Sequence, residues 1–580
     1  MKNRLLALRI TTALIVSFLT TTAQSVKQYN VYKLERNIGN EVVHLGTPSD
    51  LTDFSTQIKT KDRGTEMKLS AGISLKAGGI RYSSKGNTSR FKTESIDTTV
   101  TVRNAFPLTN NGSIALRKSL IDFWKQQGKP KFITNALTGA KIGVELIDFE
   151  NNKLEGSELF LYKINNGLDE LLWLDDQYNA VFLSYCDSEG DKREVIDAKY
   201  ERFFSDLNKK SNSVLLNTIL SNKSLKTQHH KIIAITGGNI IDVENDGNMI
   251  TNSLLVSIDG KISYVGVYDK SVIPANAKFI DASGKFIIPG LWNMHAHLFH
   301  PEYLKKELLS GVTSVRDMGN EFDNSVLLLK EANAADSFLP HIYSAGLIDG
   351  KSENSLGTVY AGNKQEIEKG IKRYHDAGFD QIKVYTYVKK NDFNTIVQEA
   401  AKYNMPVVGH LPFGYTLSSF INNGMNSISH VHYFMNSLKW GGNLKEDNKA
   451  ILETLLSKKI YVDPTLNVYN LTGDVKLPYY SKIVKLLFDY GVPIVAGTDN
   501  EGTIADELYN YVNAGMSPVQ AIRSATIVPA KVMKTDALAG SIAKGKQSDV
   551  VILNANPLLD IKNLKQINSV VRGEWIVNPN

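Results

Sequence analysis

Pro289-Gly290-Leu291-Trp292-Asn293-Met294-His295-Ala296-His297 ends an apolar run that starts near residue 285 and reads as a buried strand entering a turn. Two histidines at i and i+2 on a strand project to the same face. Two imidazoles on one face can share a divalent ion, at metal–nitrogen distances of about 2.0–2.1 Å. Such a pair often arises by chance. Here it is followed in order by Lys383, His410, His430 and Asp499, each at or near the end of its own short β-like run. That series gives the pair its weight.

Working outward, residues 313–316, 381–385, 406–410, 427–430, 459–463 and 493–498 read as short strands alternating with helical stretches. One helix start is plain, with Ser517 as cap and Pro518 at the first helical position. Alternation of this kind over roughly 250 residues predicts an α/β fold, a (β/α)8 TIM barrel over residues 289–535. In a barrel every strand ends at one face, so residues at strand C-termini converge on one pocket. Short strands flank it: 232–235, 239–242 and 254–258, with a hairpin turn at Asp259-Gly260, and later 549–553 and the segment 570–577, which carries a second turn at Arg572-Gly573. Residues 231–288 and 536–580 are therefore expected to meet as a composite β-sandwich.

Residues 24–230 differ in character. Period-two runs at 66–70 and 98–102 predict half-exposed antiparallel strands. Ser113 caps one helix whose stripe is Leu116, Leu120, Phe123 and Trp124, and Gly128 and Pro130 stop it. The region holds one histidine, His44, before the His229-His230 pair in an apparent linker, so a metal site there is not expected. It reads as a mostly-β accessory domain of open role.

The first 23 residues have a signal peptide's order: Lys2, Arg4 and Arg9, an apolar stretch over 10–19, then Thr21-Thr22-Ala23. About 20 apolar residues would be needed to span a bilayer. Export to a bacterial periplasm or medium, without a membrane anchor, is the expectation. Cys186 is the sole cysteine, so no intramolecular disulfide forms, and it reads as a small buried residue. The net charge of +6 comes from 66 basic and 60 acidic residues spread without long like-charge runs, which points to neither nucleic acid nor membrane surface.

With these motifs in place, the chain resembles the amidohydrolase superfamily, in its imidazolonepropionase-like and Xaa-Pro dipeptidase-like branch. The matching text is 289–297, Gly311-Val312-Thr313-Ser314-Val315-Arg316-Asp317-Met318-Gly319, Ile382-Lys383-Val384-Tyr385, Gly409-His410-Leu411, Ser427-Ile428-Ser429-His430, Gly497-Thr498-Asp499 and the tail 540–549. It runs from about residue 231 to the end.

The resemblance implies that His295, His297 and Asp499 bind one metal and His410 and His430 a second. Lys383, carboxylated by CO2, would bridge them with a hydroxide. Zn²⁺ is the expected ion, although histidine and carboxylate ligands also suit Mn²⁺, Co²⁺ or Fe²⁺. Neutralisation of Lys383 by Asp380 or another carboxylate would instead leave a one-metal site of the deaminase-like kind.

The implied reaction is hydrolysis of an amide or other C–N bond. Two cations lower the pKa of a bridging water from about 15.7 toward 7, and Asp499 carries the proton to the leaving amine. Dipeptides and N-acyl amino acids are the small substrates expected of an exported scavenger. Arg316 is the candidate for a substrate carboxylate, or a structural partner of Asp317. Tyr385 and Tyr387, two and four places after Lys383, could hydrogen-bond a carbonyl oxygen.

Several positions depart from the family pattern. Ser429 stands where family members often carry Glu. His432 shares a strand face with His430, and only the motif favours His430. His300, His375 and His432 read as pocket lining or surface, and Asn500 as a possible substrate contact. A mononuclear cyclic-amide hydrolase or deaminase, and a non-catalytic exported binding protein, are the alternative functions. A homo-oligomer is compatible with all of them.

Overall fold

The computed structural model describes residues 25–47, 50–76, 79–148, 153–221, 225–435, 437–438 and 446–579. The signal-peptide stretch 1–23 lies outside the described residues. Leu291–Ala296, Val312–Asp317, His341–Gly350, Gln381–Val384, Val407–Gly409, Ser427–Ser429 and Tyr461–Asp463 pair in that order, each parallel to the next. Residues 494–496 close the ring. Ile494 bridges Val462 in parallel, Val495 N donates to Val462 O, and Met294 N donates to Ala496 O at 2.8 Å. Eight staves thus form a closed α/β barrel with no free edge.

Helices pack outside, among them Phe322–Ala332, Lys364–Asp376, Lys390–Lys402 and Ile504–Asn513. Trp292, Met294, Met318, Val408 and Val495 fill a separate cluster between the strands. The expected start of the helix Pro518–Ser524 is present, with Ser517 and Gln520 completing a reciprocal cap.

The flanking segments share one sheet. Its path runs Lys226–His229, Trp575–Asn578, Ile567–Arg572, Val550–Leu553, Phe286–Pro289, Ile232–Asp242, Asn248–Ile258 and Lys261–Val267. Phe286–Pro289 lies antiparallel to Val550–Leu553, tying together segments more than 250 positions apart. Asp259 and Gly260 both have positive φ, 48° and 71°, as a tight hairpin turn requires. His229 is not in a linker: Lys226–His229 is an edge strand, and His229 Nε2 meets Glu574 at 2.8 Å. Its sequence, Lys-Thr-Gln-His, is too short and polar to show a strand pattern.

Residues 25–221 form a 13-stranded, mostly antiparallel sheet with two helices. Ser113 caps the helix Ile114–Gln126, accepting from Leu116 N at 3.2 Å. Cys186 is buried at the end of the strand Ala180–Cys186. The helix Phe204–Leu220 was not legible in the sequence. It follows the short 3-10 helix Ala198–Phe203 directly and has no side-chain cap to mark its start.

This domain docks on the C-terminal rim of the barrel. Lys192 Nζ meets Glu321 at 2.7 Å after the second barrel strand, and Asn208 donates to the same carboxylate at 3.0 Å. Tyr303 Oη donates to Gly190 O at 2.7 Å after the first strand. Arg36 donates to the carbonyls of Ser352, Glu353 and Ser355 after the third. The accessory domain therefore covers the face where barrel sites form.

The junction holds two buried carboxylates on one lysine, because Lys192 also meets Glu194 at 2.8 Å. Burial, then the charge of Glu321, pushes the Glu194 carboxyl well up. The folded protein keeps a proton there that the unfolded chain releases above about pH 4.3. Stability therefore falls as pH rises through that window, until the folded carboxyl itself ionises. Glu194→Gln removes this penalty. Its melting temperature relative to wild type should rise between about pH 5 and pH 8, followed by calorimetry. An unchanged difference would exclude a protonated Glu194.

Candidate metal centre

The site sits at the C-terminal ends of the barrel strands. His295 ends the first strand, Lys383 lies in the fourth, and His410 and His430 follow the fifth and sixth. Asp499 follows the closing segment, with its N–H donating to His295 O at 2.7 Å. The ring centroids of His295 and His430 are 4.9 Å apart, those of His410 and His430 4.8 Å, and those of His295 and His297 5.5 Å.

Outward partners fix which nitrogens face in. His295 Nδ1 lies 2.9 Å from Asp463 Oδ1, and a carboxylate only accepts, so Nδ1 carries the proton. His297 Nδ1 meets Gly319 O at 2.8 Å, with the same consequence. Thr465 Oγ1 donates to Pro464 O, so it accepts from His430 Nδ1 at 2.8 Å. Each of the three therefore turns an Nε2 lone pair inward. They face more acceptors. His297 Nε2 is 3.1 Å and His295 Nε2 3.5 Å from Asp499 Oδ1, and His430 Nε2 is 4.0 Å from Asp499 Oδ2. His410 Nε2 lies 3.0 Å from His430 Nε2.

His295 Nε2 is buried with no hydrogen-bond partner among the described residues. The donor atoms of His295, His430 and Asp499 all lie within 4.8 Å of one another. Converging nitrogen lone pairs and a carboxylate suit a divalent ion, so the residues present fit a metal.

Charges are tuned to match. Burial lowers the imidazoles of His295, His410 and His430, the last to about 3, so these three are neutral. Lys383 is fully buried, which lowers its amine to about 8. Asp380 is not its partner: that carboxylate accepts from Ser344 N at 2.8 Å.

The backbone bends sharply to deliver these groups. His430, Asp499, Asn500 and Thr465 have φ of 70°, 51°, 64° and 50°. Such left-handed conformations cost about 1–3 kcal/mol each and cluster at functional sites. A Cβ on Gly497 would stand 2.8 Å from His295 N, so only glycine lets the closing segment pass the first strand.

Other expectations need correction. Arg316 is not available for substrate. It is fully buried, with Nη2 on Asp463 Oδ2 at 2.7 Å, Nη1 on Tyr461 Oη at 2.8 Å and Nε on Met294 O at 2.6 Å. Nor is Asp317 its partner; that carboxylate accepts from Asn320. The fourth strand ends at Val384, so strand parity no longer places Tyr385 and Tyr387. Tyr385 lines the cavity, its ring 4.3 Å from that of His410. Tyr387 points elsewhere, packing on Phe413.

His432 turns away to Tyr469 Oη at 2.7 Å, leaving His430 in the site. His300 contacts Asp169 O of the accessory domain, and His375 lies on an outer helix. Asn500 grips the backbone of His297 at both N–H and C=O, 2.8 and 2.7 Å.

Sequence reasoning missed Asp463. It accepts from His295, Arg316 and, at 3.0 Å, Ser429. An acid ending the apolar run 459–463 was the available signal. Asp463→Asn leaves Arg316 buried without its counter-charge, which should cost about 3 kcal/mol in urea unfolding. Asp317→Asn should cost well under half of that. Equal losses would refute the pairing.

A model of the amidohydrolase family matches residues 286–576, half of the chain. Ochratoxinase of Aspergillus niger is 24% identical over 423 residues, covering 59% of this chain and 85% of that protein. Its crystal structure superposes at a TM-score of 0.50 and 22% identity over 60% of this chain and 95% of the other. A Xaa-Pro dipeptidase with bound methionine superposes at 0.51 and 20% identity, over 60% and 100%. At these identities the solved structures carry only the barrel fold. The family match, with histidines and an aspartate gathered at the barrel rim, carries the chemistry: the chain belongs to the amidohydrolase family and is a metal-dependent hydrolase acting on carbon–nitrogen bonds.

Proposed function

We propose that the protein is an exported hydrolase of small amides, dipeptides or N-acyl amino acids, and that it uses one or two divalent ions, Zn²⁺ first among them. The observation that carries this is the convergence of His295, His297, His430 and Asp499, lone pairs inward, beside buried Lys383 and His410. His295, His297 and Asp499 would hold one ion, and His410 and His430 the other. A bound ion supplies an activated water and polarises the scissile carbonyl.

The chain's own groups do the rest. Lys383, its amine lowered by burial to about 8, would take up CO2 as a carbamate with loss of a proton, and would then supply an anionic oxygen ligand. Asp499 takes the proton of the attacking water and delivers it to the departing amine, which leaves neutral. The cavity over the site is about 200 Å³, which suits a small substrate. The names of two similar proteins, ochratoxinase and a Xaa-Pro dipeptidase, are those of hydrolytic enzymes. Export rests on the charged and apolar pattern of residues 1–23.

A one-ion reading draws on the tight grouping of His295, His430 and Asp499 alone. Metal content per chain decides between them.

The test is metal-reconstituted full chain on a panel of dipeptides and N-acyl amino acids. Turnover is expected, and a fully loaded but inactive enzyme would remove the reading. Asp499→Asn should lower kcat by at least about a hundredfold. Lys383→Ala should lose activity and regain part of it with millimolar formate or acetate, which replace the carbamate oxygens. Absence of rescue, with one ion bound per wild-type chain, would favour the one-ion form.

A further inference from the structure

The accessory domain forms part of the cavity wall. Arg63, Arg90, Phe91 and Glu189 line the same space as His297, Lys383, His410 and Asp499. The cations there are not equivalent. Lys33 is spent on Asp62, at 2.8 Å, and on Asp191. Arg63 is spent on the same two carboxylates, at 3.2 Å each. On the barrel side, Arg316 is locked onto Asp463 beneath the site.

Arg90 differs. No carboxylate of a described residue lies within ion-pair distance of it, and its Nε is buried without a hydrogen-bond partner. Its guanidinium lies 4.6 Å over the Phe91 ring, which leaves the edge free to donate. Glu189, an acid on the same wall, is engaged by Phe91 N at 2.8 Å.

The loop that carries Arg90 is held in place. It joins the strands Gly79–Asn87 and Thr93–Val100, and Thr88 N and Ser89 N both bond Lys92 O. Thr88 Oγ1 meets Ser188 Oγ at 2.9 Å, and Lys92 Nζ donates to Ser188 O. The arginine is thus presented by a braced hairpin. That ordering lowers the entropic cost of binding.

We propose that Arg90 is the anion subsite of the active cavity and receives the free carboxylate of the substrate's amino-acid half. Phe299, Leu347 and Leu356 offer that half an apolar wall. A planar guanidinium with a free edge matches a carboxylate bidentately. Substrate selection thereby falls to the N-terminal domain, across the domain boundary from the reacting bond. This assignment rests on the reading of the site as an acyl-amino-acid hydrolase.

The test compares N-acetyl-L-leucine with N-acetyl-L-leucinamide, following release of the free α-amine by metal-loaded full chain. Wild type should favour the acid. In Arg90→Gln the acid-to-amide ratio of kcat/KM should fall about tenfold or more, mainly through KM for the acid. In parallel, calorimetry measures binding of N-acetyl-L-leucine to wild type and Arg90→Gln, with melting temperature confirming the fold of each. A preserved ratio and unchanged binding overturn the subsite while leaving the hydrolase reading intact. If wild type hydrolyses neither compound, binding that weakens about tenfold in Arg90→Gln still supports the subsite and rejects the reading. Absent or equal binding then rejects both.

Discussion

The Asp463 carboxylate is the constraint on which the site depends. It lies fully buried inside the barrel and accepts from three donors on three strands or their ends: His295, Arg316 and Ser429. A charge in such a place is tolerable only when paired and fully hydrogen-bonded. Arg316 supplies the counter-charge, and also donates to Met294 O, Tyr461 Oη and Gln381 Oε1. The pairing does chemical service too. By holding the proton of His295 on Nδ1, Asp463 turns Nε2 into a ligand aimed at Asp499. Ser429, on the neighbouring strand, is a further donor to this carboxylate.

The sequence made the barrel legible because its strands are short, apolar and end in polar residues at regular intervals. The ligand candidates were legible for the same reason: strand ends share a face. What failed was side-chain direction beyond the strand ends. Tyr385 and Tyr387 were placed by a two-residue period that stops at Val384. Arg316 looked like a rim residue because its strand position was right, but a long side chain can turn inward as easily as out. Asp463 was invisible as a partner because it lies 168 positions from His295. Pairing at that range is decided by topology, not pattern. The docking of the accessory domain was hidden for the same reason. Its contacts with the rim come from scattered residues such as Arg36, Asp169 and Lys192.

That docking changes what the barrel can do. An open barrel mouth admits large ligands, whereas here loops of a second domain reduce the space above the site to about 200 Å³. The junction joins apolar packing, with Leu216 and Ile219 in the barrel's hydrophobic core and Leu34 against Phe299 and Leu347, to a buried charge network in which Lys192 lies between Glu194 and Glu321 and Asn208 bonds the latter. Buried charge networks of this kind lose much when one member is removed, and they fix orientation more than they add affinity. A fixed orientation is what a wall residue such as Arg63 or Arg90 needs if it is to meet a ligand seated in the other domain.

Backbone strain shows where the fold gives up stability for the site. Four non-glycine residues in the left-handed region, His430, Thr465, Asp499 and Asn500, stand within one cavity wall or directly behind it. Each is held by bonds that a relaxed backbone would break. Asp499 N is fixed to His295 O, Asn500 clamps His297, and His430 N is tied to Asp463 O at 2.8 Å. The strain of these residues is thus carried by contacts with the site's other residues and with Asp463. Relaxing any one of them would move a donor atom away from the shared centre. A binding protein with a decayed site would have no reason to keep this cost, and a hydrolase that must hold several acceptors against one another does.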